Sequence, residues 1–384
     1  MPNGNGLASD VFATQAALIV PKPGSNSLYY LFTMNTWEFA TTNLKYSIID
    51  MTLNSGLGDV TSVKNILVNN NVREQLAAVH HANGTDYWIM VHEALSQNFL
   101  AYLLTPAGLN TVPVISTTGM SYTGANRFGG IRFSHDCNKL VSVLGSTNQT
   151  NETVQVYDFD NSTGTVSNPV TLATFATIPA AYAAEFSPDN SKLYVTSYNQ
   201  SHIYQFDLSV ANSAATMTNI ANGNFTRCGL LTGRDYKLYV GMSNTNYLSV
   251  INTPNFAGAA CNYQNNAVNL GQGHTCRLGL PNSIDFICET EGKSTSVFES
   301  ELLSELEVFP NPVTDEFAIY GLQFTVSEIE IYNLLGEKVY SQQPQVANLK
   351  SQTLSVDVTR LKSGVYFVKV KGERENRVAK FMKQ

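Results

Sequence analysis

The chain has 384 residues, 43% of them hydrophobic, with a formal net charge of −7. That length exceeds one ordinary core and predicts two domains or a repeat array with an appendage. The composition excludes wholesale disorder, and the acidic balance excludes general attraction to nucleic acid or anionic lipid. No run of 18 apolar residues occurs, so no helix is predicted to span a bilayer.

Residues 1–20 contain no Lys or Arg and no apolar core of secretory-signal type, since Ala16–Val20 is too short and reads as a strand. A five-fold repeat follows. Each unit has an apolar run, a tight polar turn, a second strand rich in Tyr and Val, a third aromatic strand and a weaker fourth. The turns are Pro23-Gly-Ser-Asn26, Ala82-Asn-Gly-Thr85, Ser134-His-Asp-Cys-Asn138, Ser187-Pro-Asp-Asn-Ser191 and Thr232-Gly-Arg-Asp-Tyr236. Gly24, Gly84, Asp136, Asp189 and Asp235 are read as the turn residues, because a hairpin connection needs one or two residues at positive φ. The third strands are Tyr46–Asp50, Phe99–Tyr102, Val154–Tyr157, Ile203–Phe206 and Leu248–Ile251. Short antiparallel strands recurring in this order predict an all-β chain with a β-propeller, about five blades complete here and six or seven in a full ring. A β-sandwich explains the alternation but not five copies of one unit.

Phe186-Ser-Pro-Asp-Asn-Ser-Lys-Leu-Tyr-Val195 resembles the repeat of bacterial YVTN/WD40-like propellers, over the turn and second strand of each blade. That resemblance bears on fold and carries no activity. The apolar run Cys276–Cys288 is expected to begin a further blade. The propeller is assigned to residues 1–288.

Charged residues that fall on inner strands are the candidates for lining the channel: Arg132, Glu185, Arg227 and Arg277. They could hold a polar or anionic ligand at the axis, or be channel-lining charge solvated by trapped water. No catalytic motif is present: there is no Gly-x-Ser-x-Gly elbow, P-loop, dinucleotide-binding glycine pattern or Cys-x-x-Cys. No cofactor is indicated. His92-Glu93 has Ser96 where a zinc-protease helix needs its second His, and His80 and His81 point to opposite faces of a strand, so no metal site is predicted. Among five cysteines, Cys261 and Cys276 flank one loop and are the expected disulfide if one forms; Cys137, Cys228 and Cys288 are read as small buried residues.

Residues 289–303 are polar, without a strand period, and read as a linker. Charge density then changes: 32 charged residues occupy the first 300 positions and 21 the last 84. Residues 304–384 form a second module of some seven short strands. Ile329 and Ile331 alternate with Glu330 and Tyr332, and Tyr366, Val368 and Val370 alternate with Phe367, Lys369 and Lys371. Gly336 and Gly364 are placed at hairpin turns, and a small immunoglobulin-like sandwich is expected.

The same segment closely resembles the type A C-terminal sorting domain of the type IX (Por) secretion system of Bacteroidetes. The resemblance rests on Pro310, Asn311 and Pro312; on Ile331, Tyr332, Asn333, Gly336 and Val339; on Asp357, Val358, Leu361, Gly364 and Tyr366; and on the basic end Lys380 and Lys383. It implies export through the periplasm to the outer surface or the medium. The implied partners are the translocon and a sortase-type protease, with cleavage expected within Lys293–Leu303 and attachment to anionic lipopolysaccharide. The chain start also resembles an interior stretch of Bacteroidetes propellers that carry this tail. That likeness implies that Met1 follows an upstream signal peptide and about one more blade.

Three functional classes follow. The preferred reading is an exported binding or interaction module for a glycan or an envelope protein. An extracellular propeller enzyme of lactonase, lyase or glycosidase type and a structural or adhesion component of the envelope are the alternatives, because fold alone does not decide activity.

Overall fold

The computed structural model describes residues 1–10, 13–35, 42–122, 126–146, 152–197, 201–221, 227–277, 279–282, 284, 288, 307–320, 326–333, 337–342, 354–372 and 376–384. The chain divides into two compact units, Met1–Ser294 and Thr295–Gln384. The linker read at 289–303 and Gly336 lie outside the described residues.

The first unit holds five antiparallel sheets in chain order, each running from an inner to an outer strand. Their inner strands are Ala17–Pro21, Val72–His80, Ile131–Phe133, Ala181–Phe186 and Arg227–Thr232. Every third strand anticipated from the repeat is present: Leu44–Asp50, Asn98–Thr105, Thr153–Asp160, Ile203–Asp207 and Tyr247–Ile251. Consecutive inner strands pack side by side from the first sheet to the fifth.

Strand alternation explains why the sheets stack. In Tyr87–Glu93, Ile89 and Val91 bury against Leu18, Phe32 and Leu44 of the first sheet. Trp88 and Met90, on the opposite face, bury against Leu140, Tyr157 and Phe159 of the third. The pattern repeats farther on, where Leu193, Val195 and Phe206 pack on Val141, Val143 and Val154. Tyr194 turns the other way, towards Leu238, Val240 and Ile251 of the fifth sheet. The second, third and fourth sheets therefore each lie between two others and need both faces apolar, at about 1.5–3 kcal/mol for each large side chain removed from water. This is blade packing, and the first unit is a β-propeller of five sheets among the described residues.

The repeated turn motif has a specific job. Ser187 Oγ donates to Asp189 Oδ1 at 2.7 Å and accepts the Lys192 amide at 2.8 Å. Ser134 does the same with Asp136 at 2.5 Å and the Lys139 amide at 2.9 Å. Adjacent hairpins are joined as well, because Asn190 Oδ1 accepts the His135 amide at 2.8 Å. One expectation is corrected. In the last three turns the positive φ falls one residue after the aspartate, on Cys137, Asn190 and Tyr236, each at 59°. The aspartate supplies a side-chain acceptor instead of an unusual backbone.

The apolar run at 276–288 is also corrected. Its described residues form no strand beyond an isolated bridge between Thr245 and Cys276, so no further blade begins among them.

The second unit is a two-sheet sandwich with seven strands among the described residues. Glu307–Phe309, Glu316–Tyr320 and Leu354–Asp357 form one sheet; Lys338–Gln342, Val326–Asn333, Gly364–Gly372 and Asn376–Lys383 form the other. Phe317, Ile319 and Val356 from the first meet Ile329, Ile331, Val368, Val370 and Phe381 from the second in one core.

Candidate functional site

Residues of the third, fourth and fifth inner strands border a small cavity of mixed polar and apolar lining. Gln15, just before the first inner strand, is almost fully buried and bonds three backbone groups at once. Its Nε2 donates to the Ile131 carbonyl at 2.9 Å, and its Oε1 accepts the amides of Leu76 (2.9 Å) and Ile131 (3.0 Å). One side chain thus ties the first sheet to the second and third.

Two of the four charged candidates meet here. Arg132 Nε lies 3.5 Å from Glu185 Oε2, with side-chain exposures of 16% and 5%. Arg132 Nη1 also donates to Asn282 Oδ1 at 3.0 Å, and Asn282 Nδ2 donates to the Leu76 carbonyl at 2.7 Å. The guanidinium is therefore neutralised and partly saturated within the protein. Arg227 begins the fifth inner strand, but its side chain lies outside the described residues. Arg277 is a correction: it is exposed and off any strand, because the chain has left the fifth sheet at Cys276.

Thr14, Gln15, Arg132, Tyr182, Leu230 and Asn282 are among the residues bounding a cavity of about 40 Å³. A water needs ~10–15 Å³, so there is room for about three, against ~300–1,000 Å³ for a drug-sized ligand. Gln15 and Asn282 escaped the sequence reading, which looked only for charge. The available signal was a primary amide beside or inside an apolar run.

The expected disulfide is overturned. Cys261 and Cys276 are free and buried, and Cys137 is bonded to Cys288 across a Cα–Cα distance of 5.3 Å. Burial raises the thiol pKa of both free cysteines, which holds them in the unreactive form.

The histidines are packed into the blades. His92 is fully buried and stacks on Tyr122, with ring centroids 3.6 Å apart and planes 5° from parallel. Burial lowers its pKa to about 4, and that of His135 also to about 4. Tyr122 in turn shares its hydroxyl with Gln75 Oε1 and Ser142 Oγ, each at 2.7 Å. Among the described residues no group of three His, Cys, Asp or Glu side chains is placed to hold a metal.

In the second unit the motif residues are structural. Asn311, between Pro310 and Pro312, donates through Nδ2 to the Lys380 carbonyl at 3.1 Å and accepts the Met382 amide at 2.9 Å. Val313 then pairs with Lys383. Asp357 accepts the amide and hydroxyl of Thr359 at 2.9 and 2.7 Å, which turns the chain after its strand. The Tyr366 hydroxyl donates to the Lys362 carbonyl at 2.9 Å. Gly364 opens its strand without positive φ, and an added Cβ would meet Tyr366 at an ordinary 3.6 Å, so no hairpin geometry demands glycine there. At the basic end Lys380 is exposed, whereas Lys383 is buried with its ammonium on the Gln384 carbonyl.

On the face away from the sandwich core, Glu330 receives Lys338, Lys371 and Tyr332 at 3.0, 2.9 and 2.8 Å. These bonds, that from Lys371 first, hold its pKa down to about 2.

Residues 307–384 match the family model described as a secretion system C-terminal sorting domain. No curated protein matches the chain. Among solved structures, PorZ, a surface component of the type IX secretion system of Porphyromonas gingivalis, is similar at 14% identity and a TM-score of 0.40. That match covers 98% of this chain and 59% of PorZ, so the chain spans less than two thirds of PorZ's length. The periplasmic gluconolactonase PpgL of Pseudomonas aeruginosa is similar at 12% identity and a TM-score of 0.40, over 89% of this chain and 88% of that one. Regucalcin of Agrobacterium tumefaciens, a calcium-binding protein, is similar at 13% identity and a TM-score of 0.40, over 65% and 76%. These structural likenesses carry no argument about activity.

The C-terminal sorting domain marks the chain for export to the cell surface or the medium, by way of the secretion system that reads it. No helix among the described residues is long and apolar enough to cross a membrane.

Proposed function

We propose that this exported propeller works outside the cell as a binding module for a glycan or an envelope protein, without catalysis. The supporting observation is the state of the axis. The cavity bordered by inner-strand residues holds about 40 Å³, and Arg132 on its wall is occupied by Glu185 and Asn282. An enzyme of lactonase or glycosidase type needs carboxylates free to reach substrate. Recognition then falls to the outer loops, which are rich in Asn, Thr and Tyr. The further partners of this reading are the translocon and a sortase-type protease acting within residues 293–303.

The test is a glycan array with the full-length chain, wild type and Glu185→Gln, alongside a sugar-lactone hydrolysis assay. Saturable binding of a defined glycan by both forms supports the reading. Hydrolysis that disappears in Glu185→Gln contradicts it and makes the axis an active site.

A further inference from the structure

The chain leaves the fifth sheet at Cys276, whose amide bonds the Thr245 carbonyl at 2.8 Å. It next passes over the fifth inner strand so closely that a Cβ on Gly229 would lie 2.5 Å from the Leu280 nitrogen. Two residues later Asn282 is on the Leu76 carbonyl of the second sheet and on Arg132 of the third. Ile284 packs on the core between the first and second sheets. Cys288 reaches the turn of the third sheet, bonded to Cys137 and with its sulfur 3.4 Å from the His80 carbonyl. The described residues of this stretch thus touch inner strands of the fifth, second and third sheets, with Cys276 on the fifth sheet and Cys288 on the third.

We propose that this stretch is an axial strap, locked by the Cys137–Cys288 disulfide, that closes the Arg132–Glu185 cavity and pins the end of the propeller unit to its third sheet. Two features are independent of the disulfide. Gly229 is the residue type that lets a second backbone approach this near, and Asn282 satisfies two partners on two sheets. The lock itself forms by thiol–disulfide exchange. Cys137 and Cys288 together give up two protons and two electrons, and an oxidising protein disulfide is reduced to two thiols. Because Cys288 precedes the residues where tail removal is placed, cutting there leaves the strap anchored. The inference does not rest on the recognition reading above.

Cys276 supplies the reporter. It is a free buried thiol at the root of the strap, with Sγ against Gly241, while Cys261 is a free buried thiol on the short helical turn before the last strand of the fifth sheet, in the core shared with the fourth. The experiment is maleimide labelling of the native full-length chain, mapped by mass spectrometry, for the oxidised wild type and Cys137→Ser/Cys288→Ser. The strap predicts Cys276 labelling at least tenfold faster in the double variant, with Cys261 unchanged. Should that variant fail to fold, brief dithiothreitol reduction of folded wild type, which yields two thiols and the cyclic disulfide of the reagent, replaces it. Unchanged Cys276 labelling overturns the proposal. So does a parallel rise at Cys261, which means that the disulfide holds the whole unit, or labelling of Cys137 and Cys288 in unreduced protein.

Discussion

Asn311 accepts the amide hydrogen of Met382 at 2.9 Å, which ties the opening of the C-terminal unit to its last strand. The Pro-Asn-Pro opening is thus a clasp. Its two prolines cannot donate backbone hydrogen bonds, and the asparagine side chain supplies both a donor and an acceptor in their place.

Replacing Asn311 with Ala leaves the Met382 amide and the Lys380 carbonyl without this partner. The expected cost is about 1–2 kcal/mol in the second unit. Hydrogen exchange of residues 376–384 in the full-length chain should accelerate by one to two orders of magnitude, with the propeller unaffected.

Glu185 and Arg132 form a largely buried pair, so removing the carboxylate takes the counter-charge from the guanidinium. Glu185→Ala should destabilise the propeller by about 3 kcal/mol, and adding Arg132→Met should recover most of that loss. Urea unfolding of the three variants checks this. With Arg132→Met as the third variant, a double-variant loss equal to the sum of the two single losses would mean that the pair is not coupled.

The cystine closes a loop with a sequence separation of 151. In the loop-entropy model that is worth about 5 kcal/mol, an upper figure because denatured chains retain structure. Reduction should lower the guanidinium midpoint of the first unit, and a midpoint equal to that of the oxidised form would show that the crosslink contributes nothing.

His92 and His135 are held neutral in the fold, near pKa 4 against about 6.5 for an exposed histidine. The unfolded chain therefore takes up more protons between pH 6.5 and 4. The stabilisation is full above the unfolded pKa and is lost as the pH falls through that window, by about 3 kcal/mol per histidine at most. Denaturation at pH 7.5, 5.5 and 4.5 should show the decline in wild type and a shallower one in His92→Gln.

The blades were legible because their signal is local. Tight polar turns between period-two apolar strands recur five times, and the fold needs both faces of each strand. The clasp and the Asp357 turn were legible as motif, though the reason for them appeared only in the hydrogen bonds. Long-range relations were not legible. Cys276–Cys288 has the apolar content of a buried strand, and a strap crossing inner strands needs the same content. The spacing of Cys261 and Cys276 favours a short loop, whereas the actual partners meet because Cys137 sits on the hairpin that faces the strap. Arg132 and Glu185 stood out as charges inside apolar strands. Arg277 looked alike and differs because it follows the isolated Thr245–Cys276 bridge, exposed and on no strand.

Residues 307–384, the sorting domain, are what carries the propeller out of the cell. The most direct test is deletion of those residues, with the product quantified in periplasmic, surface and medium fractions. The truncated chain should accumulate in the periplasm with the cystine formed; normal yield at the surface or in the medium would show that these residues are not the export signal.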